Sequence, residues 1–313
     1  MKIVALAGGV GGAKLAHGLA QILKPEELTI IVNTGDDFEH YGLYICPDLD
    51  TVCYTLAGLA NPETGWGRVD ESWNAIENAS KLGGLDWFKL GDHDLGTHLE
   101  RTRRLKAGDA LSQITRDFCK AWGIEHTVLP MSDQPVRTMV DTNEGGLAFQ
   151  EYFVHRRCEP RVKGFRFEGV EEAEPASGAK EAIESADAIV ICPSNPWVSV
   201  DPILKTFSLT PAPLPLGEGK PVVAISPIIG GETVKGPAAK MYRELGIEPS
   251  ALAVANHYRG VTTHFVMDNV DSQLIESVRG LNMQVFVTNT LMKSHVDRKR
   301  LASEILDFIG VAV

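Results

Sequence analysis

The sequence predicts an α/β fold: a parallel sheet with helices on both faces and a smaller inserted antiparallel β segment. Three observations predict it. An apolar run from Ile3 to Leu6 breaks into Ala7-Gly8-Gly9-Val10-Gly11-Gly12-Ala13-Lys14 and resumes with the helical spacing Leu15, Leu19, Ile22, Leu23. A second apolar run, Leu28 to Val32, follows, and strand, helix, strand in close succession is a βαβ unit whose parallel strands end on one edge of the sheet. Between Arg137 and Glu168 the period changes to two: Val136, Thr138 and Val140, then Leu147, Phe149, Tyr152 and Val154, split by Asn143-Glu144-Gly145-Gly146.

The first loop is suited to phosphate. Glycines let the backbone approach an anion with no Cβ in the way, and the following helix start offers unpaired N–H groups and a partial positive charge. That dipole supplies only about 0.3–2 kcal/mol, so Lys14 is expected to carry much of the neutralisation. The phosphate-binding candidates here are Gly9, Val10, Gly11, Gly12 and Lys14. The loop fits neither common fingerprint, because Leu15 stands where a Walker loop places Ser or Thr and Lys14 where a dinucleotide loop wants glycine. A tight strand-to-helix turn without a ligand is the alternative reading.

The second strand ends at Asn33-Thr34-Gly35-Asp36-Asp37, which faces the same crevice, outside the carboxyl ends of the strands. Further strands are expected at 127–129, 188–192, 221–226 and 284–287, and helices at 48–58, 94–105, 109–122, 237–245 and 295–309. Asp109 and Ser294 read as helix N-caps. The β-hairpin in the 136–154 region and a further strand near Phe165–Phe167 make residues 136–182 an inserted β-rich subdomain, with the core formed by 1–135 and 183–313. The Pro- and Gly-rich stretch 210–220 reads as a surface loop.

Acidic residues gather at the expected crevice: Asp36 and Asp37, then Asp48 and Asp50 in Pro47-Asp48-Leu49-Asp50-Thr51, then Asp92 in Gly91-Asp92-His93-Asp94. Asp48 reads as an N-cap as well as a candidate catalytic carboxylate. Two carboxylates so close to a phosphate loop repel each other unless a cation offsets them, and hard oxygen ligands with substrate phosphates are what magnesium takes, which points to Asp50. Downstream, Pro193-Ser194-Asn195-Pro196 and Ser226-Pro227-Ile228-Ile229-Gly230 follow apolar strands, so Ser194, Asn195 and Ser226 are nucleotide-binding candidates. His93 and His98 are weak site candidates, and Trp66, Trp73 and Trp87 offer a wall for a flat aromatic ligand.

Composition bounds the partners. The 313 residues carry a formal net charge of −11, which argues against nucleic acid, and no apolar run is long enough for a bilayer. The five cysteines, 46, 53, 119, 158 and 192, show no Cys-x-x-Cys spacing and read as reduced residues of a cytoplasmic protein, without zinc or disulfides.

Taken in order, residues 8–14, Val32-Asn33-Thr34-Gly35-Asp36-Asp37, Cys46-Pro47-Asp48-Leu49-Asp50-Thr51, Lys89-Leu90-Gly91-Asp92, Leu129-Pro130-Met131-Ser132-Asp133, Pro193-Ser194-Asn195-Pro196 and Ser226-Pro227-Ile228-Ile229-Gly230 resemble the 2-phospho-L-lactate transferase family of deazaflavin coenzyme biosynthesis. The resemblance spans nearly the whole chain and departs mainly at 210–220. It implies a Rossmann-like core with a smaller added subdomain, often in a homodimer. It implies transfer of a phospholactyl or phosphoenolpyruvyl group from a GDP-activated donor to the ribityl hydroxyl of the deazaflavin Fo, with GMP leaving and coenzyme F-420 without its glutamate tail, or the dehydro form, as product. Asp50 matches the family's metal and Fo-proximal aspartate, Lys89 a position associated with Fo, and Asp36 and Asp37 are placed with them. Catalytic candidates are Asp50, Asp48 and Asp92, with magnesium as cofactor. A related regulatory family, the UDP-sugar-binding gluconeogenesis factors, is the binding-protein alternative. A nicotinamide oxidoreductase is disfavoured by Lys14 in the fingerprint and by Asn33-Thr34 where an acidic ribose ligand is wanted.

Overall fold

Short apolar runs bounded by glycine and polar turns alternate with helices for most of the chain. In the computed structural model, which describes residues 1–208 and 219–311, the order is β1 (Ile3–Ala7), α1 (Gly9–Ala20), β2 (Leu28–Val32), the hairpin β3 (Phe38–His40) and β4 (Leu43–Ile45), then α2 (Pro47–Leu56) and α3 (Asn74–Lys81). Next come α4 (Asp92–Lys106), α5 (Leu111–Ala121), β5 (Thr127–Pro130) and the antiparallel strands β6 (Arg137–Thr142), β7 (Gly145–Ala148) and β8 (Val162–Glu168). The second half runs α6 (Ala179–Ser185), β9 (Ala188–Ile191), α7 (Asp201–Ser208), β10 (Val222–Ile225), the short pair β11 (Ile228–Ile229) and β12 (Glu232–Thr233), α8 (Ala238–Glu244) and α9 (Ala251–His257). It closes with β13 (His264–Asp268), α10 (Ile275–Arg279), β14 (Gln284–Thr288) and α11 (His295–Phe308). The expected loop at 210–220 lies almost wholly outside the described residues.

Seven strands form one parallel sheet in the order β14-β13-β10-β9-β1-β2-β5. The chain winds outward from β1 through β2 to β5, then restarts at β9 on the other side of β1 and winds the opposite way. The seam between β1 and β9 is therefore a topological switch point, where neighbouring strand-end loops diverge and leave a crevice. Alternate residues of each strand face opposite layers. Ile3, Ala5 and Ala7 join α1, α2, α5 and α11 in one core, while Val4 and Leu6 join α6, α7, α9 and α10 in the other.

The sheet order confirms the α/β reading, with three local differences. β13 escapes sequence inspection because His264 and Asp268 bracket only three apolar residues, yet all five are buried. The second arm of the expected hairpin ends at Ala148, and residues 151–155 form a π-type turn instead of strand. That turn drives Tyr152 into a small core with Val140, Phe149, Val162, Val198 and Met241, which a strand continuing from β7 would not reach. Ser294 caps α11 as expected, accepting the Asp297 amide at 3.2 Å while Asp297 returns the contact at 2.8 Å. Asp109 does not cap α5: it pairs with Arg104 at 2.6 Å, and Asp133 takes the Ser112 amide at 2.7 Å. No described helix is long and apolar enough to cross a membrane.

Helix α1 is wedged between its neighbours. A Cβ on Gly18 would run into the backbone carbonyl of Arg298 on α11. Helix propensity alone favours alanine at this interior position by about 1 kcal/mol. Overpacking outweighs it, so Gly18→Ala is expected to lower stability by about 1–3 kcal/mol, read from the urea midpoint. A raised midpoint would show that α1 and α11 move apart at little cost.

Candidate active site

The glycine run lies in the first turn of α1, with Gly8 as its N-cap and Gly9 at φ +61°, a left-handed backbone that favours glycine. The strand-end loops of β1 and β9 are stitched together there. Ser194 Oγ donates to the Gly8 carbonyl at 2.7 Å and accepts the Gly8 amide at 3.2 Å. A Cβ on Gly11 would strike the Pro193 carbonyl, and one on Gly12 would stand 2.7 Å from Ser194 Oγ. The tight-turn and phosphate readings thus both describe these glycines, which close the seam and leave the helix start open to the crevice.

Above the seam is a cavity of ≈ 1140 Å³, larger than the roughly 300–1,000 Å³ usual for a single small ligand. Its floor is Gly8, Gly9, Val10, Gly11 and Lys14, with Asp36, Asp48 and Asp50 beside them. Its far wall comes from two segments remote in sequence. Trp66, Trp87, Phe88 and Lys89 project from the stretch between α2 and α4, and Phe149, Phe153 and His155 from the inserted segment. Trp87 stacks on His155 at 5.2 Å, and Phe149 on Phe153 at 5.4 Å, so the wall is a set of ordered ring faces. Trp73 does not line the cavity.

Four aspartates between β2 and the first turns of α2 are buried: Asp36, Asp37, Asp48 and Asp50. Asp48 is the second residue of α2 and does not cap it. Its Oδ2 takes the Asn33 side-chain amide at 2.9 Å, and the carboxylate lies against the start of α1. Burial pushes its pKa up to about 6, opposed by the Asn33 amide and the Gly9 backbone. Burial and the neighbouring Asp48 and Asp37 charges push Asp36 well up. Burial takes Asp37 up to about 7 against the pull of Arg137, and neither of its oxygens has a hydrogen-bond partner among the described residues.

Asp50 is the paired member of the group. Both of its oxygens bind the buried guanidinium of Arg101, Oδ2 at 3.0 Å from Nη1 and Oδ1 on Nη2. Burial pushes the Asp50 carboxyl up and Arg101 draws it back, while the Asp50 charge outweighs the burial of Arg101 and keeps the guanidinium protonated. His98 completes the cluster 3.2 Å from Arg101 Nη1, kept neutral by burial. From His98 the network runs to Asp94, whose Oδ1 accepts the Tyr54 hydroxyl at 2.6 Å.

Other expected site residues have local duties. Lys14 lines the cavity and donates to the Met292 carbonyl at 3.1 Å, its pKa lowered by burial and by Arg298 and Lys235. Asn195 caps the following π-type turn by accepting the Trp197 amide at 3.1 Å, and Ser226 exchanges hydrogen bonds with the Ile228 backbone. Ser194, Asn195 and Ser226 all border the cavity, yet their hydroxyl and amide groups shape loops. Lys89 stands exposed at the rim. Asp92 is not brought to the cavity. It accepts from Ser72, Asn74 and Ala75 at the start of α3, which holds its pKa below the usual range. Glu71 in turn takes the His93 and Asp94 amides at 2.8 and 2.9 Å.

The sequence profile described as CofD, 2-phospho-L-lactate transferase, matches residues 3–307. The chain belongs to the CofD family. Its relatives include phosphoenolpyruvate transferase of Streptomyces griseus subsp. griseus, 43% identical over 304 residues that cover 95% of this chain and 94% of the relative. They also include 2-phospho-L-lactate transferase of Methanopyrus kandleri, 40% identical over 99% of this chain and 98% of the relative. Among solved structures, protein BH3568 from Bacillus halodurans matches with a TM-score of 0.62 over 97% of this chain and 99% of that chain. At 16% identity that likeness shows the fold alone.

CofD is an enzyme family, and in this member the buried residue that pairs with Asp50 of the pocket had no signal in the sequence. Arg101 sits on α4 among Arg103 and Arg104, and only the fold selects it to meet Asp50. Removing the guanidinium leaves a buried, unpaired carboxylate, so Arg101→Leu is expected to cost about 3–5 kcal/mol in urea unfolding, with much of it recovered by adding Asp50→Asn. No recovery in the double variant would show that Arg101 acts through its packing instead.

Between the ordinary carboxylate value of 3.8 and their folded pKa values of about 7, 6 and 7, Asp37, Asp48 and Asp94 hold protons in the folded chain that the unfolded chain has released. Their contribution is complete below pH ~4 and is lost as pH rises through ~7. The melting midpoint in metal-free buffer is therefore expected to fall between pH 5 and pH 8, and to fall less in Asp37→Asn. An equal fall in both proteins would remove Asp37 from this account.

Proposed function

We propose that this CofD-family enzyme transfers a phosphoenolpyruvyl or 2-phospholactyl group from a GDP-activated donor to the ribityl hydroxyl of the deazaflavin Fo and releases GMP. One observation carries the reading: a single cavity joins a helix start suited to a diphosphate with a wall of ring faces suited to a flat tricycle. The two ligands then meet over Asp36, Asp48 and Asp50. Holding both reactants in one enclosure turns a bimolecular attack into a local one, which is a large part of catalysis for a group transfer. The relatives named phosphoenolpyruvate transferase and 2-phospho-L-lactate transferase support the same reaction class with either donor.

Magnesium belongs to this proposal. The carboxylates facing the cavity offer hard oxygens, and Asp36 Oδ1 is buried without a hydrogen-bond partner among the described residues. Among the described residues no three Asp, Glu, His or Cys side chains converge on one point. A cation here takes one or two carboxylates and draws its other oxygens from diphosphate and water, which is how magnesium binds. Arg101 holds both Asp50 oxygens, so Asp36 and Asp48 are the better holders and Asp50 their fixed neighbour. When bound, the cation offsets charge on the diphosphate. A homodimer, which the resemblance implies, and a cytoplasmic location, to which the free cysteines point, complete the proposal.

The test mixes protein, Fo and magnesium with each activated donor, then follows GMP by chromatography and the new phosphodiester by mass spectrometry. GMP and product should appear in equal amounts with at least one donor, and chelation should stop both. Absence of Fo binding and of GMP release with every donor, together with tight UDP-sugar binding, would transfer the chain's assignment to a nucleotide-sugar regulator.

A further inference from the structure

A hydroxyl that attacks phosphorus has to lose its proton as the new bond forms, and a side chain placed to take it accelerates the step. The carboxylates of the cavity are not equally able to do so. Asp50 is clamped by Arg101 through both oxygens, Asp48 is tied to Asn33 at the end of β2, Asp36 is buried and assigned above to the cation, and Asp86 is exposed to solvent. Asp94 is different. Its Oδ1 accepts from Tyr54 at 2.6 Å, which fixes the plane of the group, while its Oδ2 has no protein partner among the described residues and is not sealed from solvent. The side chain is 17% exposed and lines the cavity below the segment bearing Trp87, Phe88 and Lys89, the wall suited to the acceptor.

We infer that Asp94 is the general base of the transfer, receiving the acceptor's hydroxyl proton on Oδ2. This rests on the transferase reading above. The acceptor oxygen bonds to the phosphorus that bears the three-carbon group as its proton passes to Asp94. The bond from that phosphorus to the bridging oxygen breaks, GMP leaves with the electron pair, and Asp94 returns the proton to solvent. The surroundings match the task. Burial and the charges of Asp50 on α2 and Glu71 before α3 raise the proton affinity of Asp94, against the Tyr54 hydroxyl and Arg101. His98, one turn along α4, is neutral, and the result is a pKa of about 7. A base poised there is about half ionised at neutral pH and basic enough to accept a proton. Tyr54 is a positioning residue in this scheme.

Single-turnover GMP release is to be followed against pH in wild type, Asp94→Asn and Tyr54→Phe, with Fo affinity from fluorescence titration. Asp94→Asn keeps an oxygen for Tyr54 and should bind Fo as wild type does, while the rate falls by about 10²–10⁴-fold and loses its ascending limb near neutral pH. Tyr54→Phe removes a hydrogen bond that favours the ionised carboxylate, so its limb should move to higher pH. Undiminished release by Asp94→Asn, or a reduced rate that keeps the wild-type limb, overturns the assignment and leaves the transferase reading intact. Absence of release by wild type with any donor overturns both. If Asp94→Asn does not fold, the Tyr54→Phe profile decides, and an unmoved limb overturns the assignment.

Discussion

The architecture depends on how closely α1 is allowed to approach its surroundings. Gly11 and Gly12 meet the loop after β9, and Gly18 meets the backbone of α11, each at separations that leave no space for a side chain. These close approaches hold β1 and β9 together at the point where the winding of the sheet reverses. They also set the helix start against the loops after β2 and β9, so much of the floor of the cavity is glycine backbone. A phosphate can come within hydrogen-bond reach where Gly8, Gly9 and Gly11 carry no side chain, with Val10 and Lys14 beside them.

Around this floor the protein accepts an electrostatic arrangement that stability alone would not choose. Four buried aspartates share a small volume, and among the described residues only Asp50 has a full ionic partner. Burying carboxylates with so little compensation is costly, and such departures from a well-satisfied core are found where a site needs them. Asn33 restrains the group: its amide nitrogen binds Asp48 and the Val198 carbonyl, while its oxygen accepts the Gly35 amide. One neutral side chain thus ties the end of β2 to α2 and to the turn after β9.

Much of the fold was legible because it is written in local patterns. The glycine run, the alternating apolar strands and the capping box of α11 are read within a few residues of one another. The family resemblance was legible for the same reason, since it rests on contiguous motifs. What stayed hidden depends on contacts across the fold. Asp92 and Asp94 are two residues apart in one first turn, and nothing local reveals that Asp92 faces α3 while Asp94 faces the cavity. Ser194 borders the cavity, and that its hydroxyl is bonded to the backbone of Gly8, 186 residues away, no local pattern shows. The aromatic wall was half visible, for Trp66 and Trp87 stand out by type, whereas Phe149 and Phe153 are placed by a turn where the alternation suggested a strand.

The position of Asp48 has a consequence for recognition. Its carboxylate belongs to α2 but rests against the amino-terminal end of α1, where the helix dipole and free N–H groups favour negative charge. The protein thus supplies its own anion at that helix end. A diphosphate that takes the same amides does so by exchange, displacing one negative group with another, and the displaced carboxylate is released beside the incoming charge. Selectivity then turns on what the newcomer brings besides charge. An anion that arrives with a divalent cation gives the released carboxylate a new partner, whereas a bare anion of equal charge leaves two negative groups facing each other.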